Sequence, residues 1–179
     1  MAEYLWIFWS FSLLGWVLER LFAAVTRSPR RRRRCLLLLP LCPVYGLGMA
    51  AVLALPPSLR SGWPLYLWGG LTATSVEYIY HWWGETFLGV SFWDYTGVFG
   101  NLRGRVCLPF SLAWGLLLLP AVYLVTPPVV ALADRVPIGV TWWLLLAFTA
   151  DAVCSLRFLA VTHDLEALRA VIWPVSADR

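Results

Sequence analysis

The chain has 179 residues, of which 60% are hydrophobic and 13% charged, against roughly 45–50% and about 25% in an ordinary soluble domain. With a mean hydropathy of +0.71, twelve Trp and nine Phe, it excludes a soluble globular domain and predicts an all-α polytopic membrane protein. The formal net charge is +4, and all 14 basic residues are Arg. Six of them stand between Arg27 and Arg34 beside an apolar run, which reads as a membrane-flanking anchor and excludes a nucleic-acid groove.

A spanning helix needs about 20 mostly apolar residues. Five segments qualify, at about 4–26, 37–56, 63–83, 106–126 and 138–161. Together they predict one transmembrane domain over 1–161 and a short cytoplasmic tail at 162–179. The first segment lacks a basic leader and carries Glu19 and Arg20, so it reads as a retained helix and not as a signal peptide. Pro29 and the Arg run close it. Pro56-Pro57 and Gly62 close the second, and Pro127-Pro128 with Pro137 bracket the loop before the last. With the N-terminus outside, the inner segments hold Arg27, Arg30 to Arg34, Arg103, Arg105, Arg157, Arg169 and Arg179, and the outer loops only Arg60 and Arg135. That asymmetry predicts an N-out, C-in orientation. In the tail, Leu165, Leu168 and Ile172 suggest an amphipathic helix lying at the inner surface. Cys35, Cys42, Cys107 and Cys154 form no CxxC pair and read as small packing residues.

The ionisable residues inside the spans carry the most information, because a charged side chain at mid-bilayer costs about 2.5–3.5 kcal/mol on an insertion scale. Glu19, Glu77 and Asp151 fall in three different spans, roughly 9–15 Å above the cytoplasmic boundary at 1.5 Å per residue. In the third span Gly70, Thr74, Glu77, His81 and Glu85 recur at intervals of four and three, and so share one face. Ser12, Gly15 and Glu19 do the same in the first span, and Asp151 and Ser155 are one turn apart in the fifth. Two readings stand open. The faces are packing seams whose acids are satisfied by Arg, His or Trp, or they enclose a polar, cytoplasm-facing cavity that binds a cation or a polar head group.

Glu77, His81, Glu85 and Asp151 are metal-ligating residue types, but one His without an HExxH-like pairing assigns no metal. Ser111 has no evident base and no Walker A motif is present, so the sequence assigns neither catalytic residues nor a cofactor. The stretch SFWDYTGVFGNLRGRVCLPFSLAWG sets Trp93, Asp94, Tyr95, Asn101, Arg103 and Arg105 among three glycines. It predicts either an interfacial loop stitched by Asp94 with Arg103 or Arg105, or a re-entrant loop capping the cavity.

These motifs resemble the bacterial family described as putative ABC-transporter type IV. FSLLGWVLER is similar to its Phe-x-x-x-Gly-Trp-x-x-Glu pattern and LPLCPVYGLGM to its Pro-x-Tyr-Gly-x-Gly segment. VEY followed by FWDYTGVFGNLRGRVCLPFSLAWG is similar to its Trp-Asp-Tyr-Ser…Asn-x-x-Gly-Arg-x-Cys-Leu…Ser-x-x-Trp-Gly signature, and Asp151 with Ser155 to its last-helix motif. Thr96 stands where the family has Ser, and Arg103 where it is often uncharged. The resemblance covers most of residues 8–155. It implies a bacterial inner-membrane location and carries Gly15, Trp16, Glu19, Pro43, Tyr45, Gly46, Glu77, Trp93, Asp94, Tyr95, Asn101, Gly104, Arg105 and Asp151.

The combined expectation is a transport or permease-like protein whose ligand touches Glu19, Glu77, His81, Trp93, Asp94, Tyr95, Asn101, Arg105 and Asp151. The alternatives are a membrane enzyme acting on a lipid or isoprenoid head group through Glu77, His81 and Asp94, and a non-catalytic subunit. Expected partners are the bilayer, other membrane subunits or a second copy of the chain. Nucleic acid is not among them, and any ATPase is a separate protein.

Overall fold

In the computed structural model, residues 2–26 and 35–170 are described. The Arg27–Arg34 run and Ile172 lie outside them. Six helical elements carry the fold: α1 (Ala2–Thr26), α2 (Pro43–Leu53), α3 (62–88), α4 (Leu108–Ala133), α5 (Ile138–Thr162) and α6 (Leu165–Ala170). Among the described residues there is no strand, only an isolated bridge between Leu102 and Val106. Three helices among the described residues are long and apolar enough to cross a membrane: Ala2–Val25, Leu108–Ala133 and Ile138–Thr162. The third and second predicted spans fall short of that test for different reasons. The α3 helix runs unbroken but carries Glu77, His81 and Glu85, whereas α2 is short.

Proline chemistry explains how α2 and α4 depart from their predicted bounds. The second span was expected over 37–56, but the helix begins only at Pro43, and 35–42 is irregular. Pro40 has no N–H to extend a helix through this stretch, while Pro43 sits at its first position, where none is needed. Pro127-Pro128 was expected to end the fourth span. Instead a π-type turn over Ala121–Val125 leads into Thr126–Ala133, and the two prolines occupy that segment's first turn. Only residues 134–137 then separate α4 from α5.

The three small-residue faces do not meet one another. The α2 helix packs against both α1 and α3, and each face finds a different neighbour. A Cβ added at Gly15 would run into the Tyr45 ring, and one at Gly46 into the Phe8 carbonyl oxygen, so α1 and α2 approach almost backbone to backbone. The α3–α4 crossing is similar: a Cβ at Gly70 would lie 3.1 Å from Gly115 Cα. The α5 helix is peripheral. It touches α1 through Phe8–Phe148 and a Trp6 N–H donated to Thr141, and only 11% of its most apolar window is buried. Trp142 and Trp143 are exposed on it, a surface suited to lipid.

The core divides by level. Ile7, Phe11, Met49, Val52, Leu65 and Leu118 form one cluster toward the α1 N-terminus. The other cluster lies at the opposite, loop end, where Leu36, Leu37, Phe92, Trp93, Tyr95, Leu159, Leu165 and Leu168 come together. Leu165 and Leu168 are therefore core residues, tucked under the loop and not spread on a membrane surface. His163, with φ +53, ends α5 and donates from Nδ1 to the Leu88 carbonyl at 2.6 Å, tying the ends of α3 and α5 together.

Gly46→Ala sets a methyl against backbone that cannot yield, whereas the Cβ of Gly48→Ala meets nothing within 4 Å. The first substitution is expected to destabilise by about 1–3 kcal/mol and to lower the apparent midpoint of thermal unfolding in detergent. The second should leave it unchanged.

Candidate functional site

The acids singled out from the sequence are each held by a different set of donors. Asp151 faces the irregular 35–42 segment: its Oδ2 accepts the Leu39 N–H at 2.9 Å, and its Oδ1 accepts the Leu38 N–H at 3.1 Å and the Ser155 hydroxyl at 3.0 Å. Those two amides have no place in a helix ladder. The carboxylate serves as their cap. Asp151 thus holds the chain where α2 begins, and it lines neither of the cavities described below.

Glu77 is 2% exposed, on the inward face of α3. Its Oε2 accepts the Trp114 N–H from α4 at 2.7 Å, and its Oε1 accepts the Tyr95 hydroxyl at 3.2 Å. Glu19 on α1 accepts the hydroxyl of Tyr45, which lies in the first turns of α2. The Tyr45 and Trp114 rings meet edge to face, with centroids 5.3 Å apart. Two carboxylates from two helices are therefore linked through aromatic side chains of two others. Tyr and Trp suit this position because each offers one polar group on a large apolar body.

Two cavities border these carboxylates. A larger one of about 350 Å³ reaches from Glu77 past Tyr45 and Trp114 to Phe11, Met49 and Val125. A smaller one of about 200 Å³ is lined by Glu19, Tyr45, Tyr95, Phe110 and Trp114. Both share Leu18, Tyr45, Trp114 and Leu117 as walls. The walls come from α1, α2, α3, α4 and the loop, and none from α5. A cavity built from spans one, three and five was expected; here α2 and α4 take the place assigned to α5.

The loop over 89–107 is a folded plug. Phe92, Trp93 and Tyr95 are buried, and Tyr95 stacks on Phe110 with centroids 5.0 Å apart. Its turns are fixed locally: the Asp94 carboxylate accepts the Thr96 N–H at 2.7 Å, and the Asn101 side-chain oxygen accepts the Gly104 N–H at 3.2 Å. Gly104 adopts φ +71 with its position for a Cβ 2.9 Å from the Thr96 hydroxyl oxygen, so both backbone and space require glycine. The Tyr95 N–H donates to the Gly104 carbonyl, and the Trp93 indole N–H to the Arg105 carbonyl at 2.7 Å.

Arg105 turns toward α3. Its Nε donates to Glu85 at 2.7 Å and its Nη1 to the Tyr78 hydroxyl at 2.9 Å. The Glu85 hydrogen bond raises the guanidinium pKa above its usual value, desolvation opposes this, and Tyr78 adds a smaller upward effect. The cation therefore persists at every physiological pH. His81, 1% exposed, lies between Glu85 Oε1 at 3.1 Å and the Ser91 hydroxyl at 3.2 Å, with Trp93 edge-on at 4.7 Å. His81, Trp93, Asp94, Asn101 and Arg105 thus build and clamp the loop, and none of them lines either cavity. Glu19, Glu77 and Tyr95 do line them. Reasoning from ionisable residues passed over Tyr45, which only the family resemblance carried, and Trp114, although a Tyr and a Trp inside apolar spans are a readable sign of a buried hydrogen-bond acceptor nearby. Among the described residues, no group of three or more His, Cys, Asp or Glu is placed to hold a metal ion.

Apolar helices, lipid-suited surfaces and internally satisfied carboxylates define an all-helical integral membrane protein. Residues 6–156 match the family model described as Putative ABC-transporter type IV, and the chain belongs to that family. Neither the curated proteins nor the solved structures yield a match.

Asp151→Asn keeps one acceptor oxygen but turns an NH2 toward a backbone N–H. It is expected to destabilise by about 1–3 kcal/mol through the amide left uncapped, read as a lower thermal midpoint in detergent. Wild-type stability would remove the capping role.

Proposed function

We propose that this protein is a permease-like membrane component in which Glu19 and Glu77 bind a cationic or protonatable ligand. One observation carries this reading: two carboxylates from different helices border adjoining internal cavities, each oriented by aromatic hydrogen-bond donors. Acids at such depth are costly, and in membrane proteins they mark ion or substrate pathways. The family description as an ABC-transporter type supports the transport class. These residues carry no Walker A motif and so do not themselves hold ATP in a P-loop.

The reading includes five crossings within a transmembrane domain over 1–161, with α2 plus its irregular approach and α3 supplying the two beyond the three long apolar helices. The Arg distribution favours an outside N-terminus and a cytoplasmic tail in a bacterial inner membrane. The loop end then faces the cytoplasm, and the 89–107 plug covers the cavities from that side. Bilayer lipid and further membrane subunits, including a second copy, are the partners this arrangement suits.

Purified protein in liposomes tests the reading by proton and cation flux. Glu77→Gln and Glu19→Gln are each expected to reduce flux at least tenfold while eluting as folded species. Asp151→Asn should lose flux only in proportion to its folded fraction. Wild-type flux in both Glu variants would make the carboxylates structural, and no flux in the wild type would remove the transport role; either overturns the proposal.

A further inference from the structure

The shape and position of the larger cavity narrow the ligand. On α1, Leu14, Leu18 and Leu21 line it yet are 45%, 39% and 60% exposed, and Leu117 on α4 is 44% exposed. Its mouth therefore lies on the side of the bundle, between α1 and α4, on a surface suited to hydrocarbon. Glu77 stands among these apolar walls at the edge shared with the smaller cavity, where Tyr45, Trp114 and Glu19 follow. Gly48 faces the open volume: it is buried, it lines the cavity, and a Cβ there would meet nothing within 4 Å.

A hydrated ion gains nothing from such a mouth, because its water would be stripped against leucine. A molecule already dissolved in the bilayer enters without that penalty. We propose that the chamber binds an amphiphilic cation, one apolar chain bearing an ammonium-type head, taken up sideways from the membrane between α1 and α4. The chain lies along the apolar walls and the head reaches Glu77 and Glu19 beside the faces of Tyr45 and Trp114. Carboxylates and aromatic faces both attract an alkylammonium. At about 350 Å³ the larger cavity is near the small end of ligand sites, and so takes one chain in preference to the two of a phospholipid. This inference rests on Glu19 and Glu77 being ligand groups, as proposed above.

The test uses the full chain in lipid nanodiscs and a dodecylamine carrying a diazirine at mid-chain, with photolabelled residues mapped by mass spectrometry. Labels are expected on cavity-facing residues of α1 and α4. Dodecyltrimethylammonium should compete, whereas tetramethylammonium and dodecanol should not. Gly48→Leu, which fills the volume and leaves the acids untouched, should lower labelling at least tenfold, and so should Glu77→Gln. If Glu77→Gln does not elute as a folded species, Glu19→Gln supplies the charge comparison. Equal competition by dodecanol, or wild-type labelling in the charge variant or in Gly48→Leu, would reduce the groove to a lipid-facing seam and overturn the inference. Small-cation flux lost in Glu77→Gln with no cavity labelling would sink the amphiphile but leave the permease reading. Labelling as expected without any flux would do the reverse.

Discussion

A polar group taken into an apolar bundle has to find its hydrogen-bond partner inside the protein, and this constraint organises the structure. Asp151 gives one case. Residues 35–42 are irregular, with Pro40 among them, and this leaves the Leu38 and Leu39 amides without helical partners. A carboxylate from α5 accepts both. One side chain thereby positions the start of α2, fixes the height of α5 against it, and satisfies its own charge with donors. Loss of that contact would free an irregular segment which also brings Leu36 and Leu37 into the loop-end core and the Cys35 and Cys42 thiols together.

The same demand shapes the loop. Arg105, Glu85 and His81 form a chain of partners running from the plug to the last turns of α3, and Tyr95 makes a separate contact from the same loop to Glu77. Because Tyr95 is anchored by the Gly104 carbonyl at its backbone and stacked on Phe110 at its ring, the position of the loop and that of the Glu77 carboxylate are set together. The plug therefore acts as more than a cover. It contributes one of the donors that orient an acid inside the bundle, while α4 contributes another through Trp114.

Helix irregularities serve packing in a comparable way. Among the described residues three π-type turns occur, at Leu65–Gly69, Gly84–Leu88 and Ala121–Val125. The first lies where α3 meets α4, the second under the loop, and the third beside the larger cavity. Each widened turn shifts the register of the residues beyond it. In α4 the shift precedes two prolines that would otherwise stop the helix; it continues to Ala133 and packs there against α1.

The sequence by itself determined the all-helical membrane class, the approximate places of the helices, and the inward face of α3, because hydrophobic runs and helical spacing are local properties. Gly70, Glu77 and His81 are buried on one side, as their intervals of four and three require. It also singled out the loop and its glycines. The tertiary structure alone decided which face meets which neighbour. Glu19, Glu77 and Asp151 were expected at similar depth from their places along the helices, yet depth along a helix carries no information about azimuth or about the helix that intervenes. With α2 packed against α1 and α3, Asp151 was left to cap backbone, and the cavity walls passed to α2 and α4. Tyr45 and Trp114 acquire their roles only there, since a hydroxyl or an indole N–H becomes a carboxylate's partner when packing brings it within 3 Å or so.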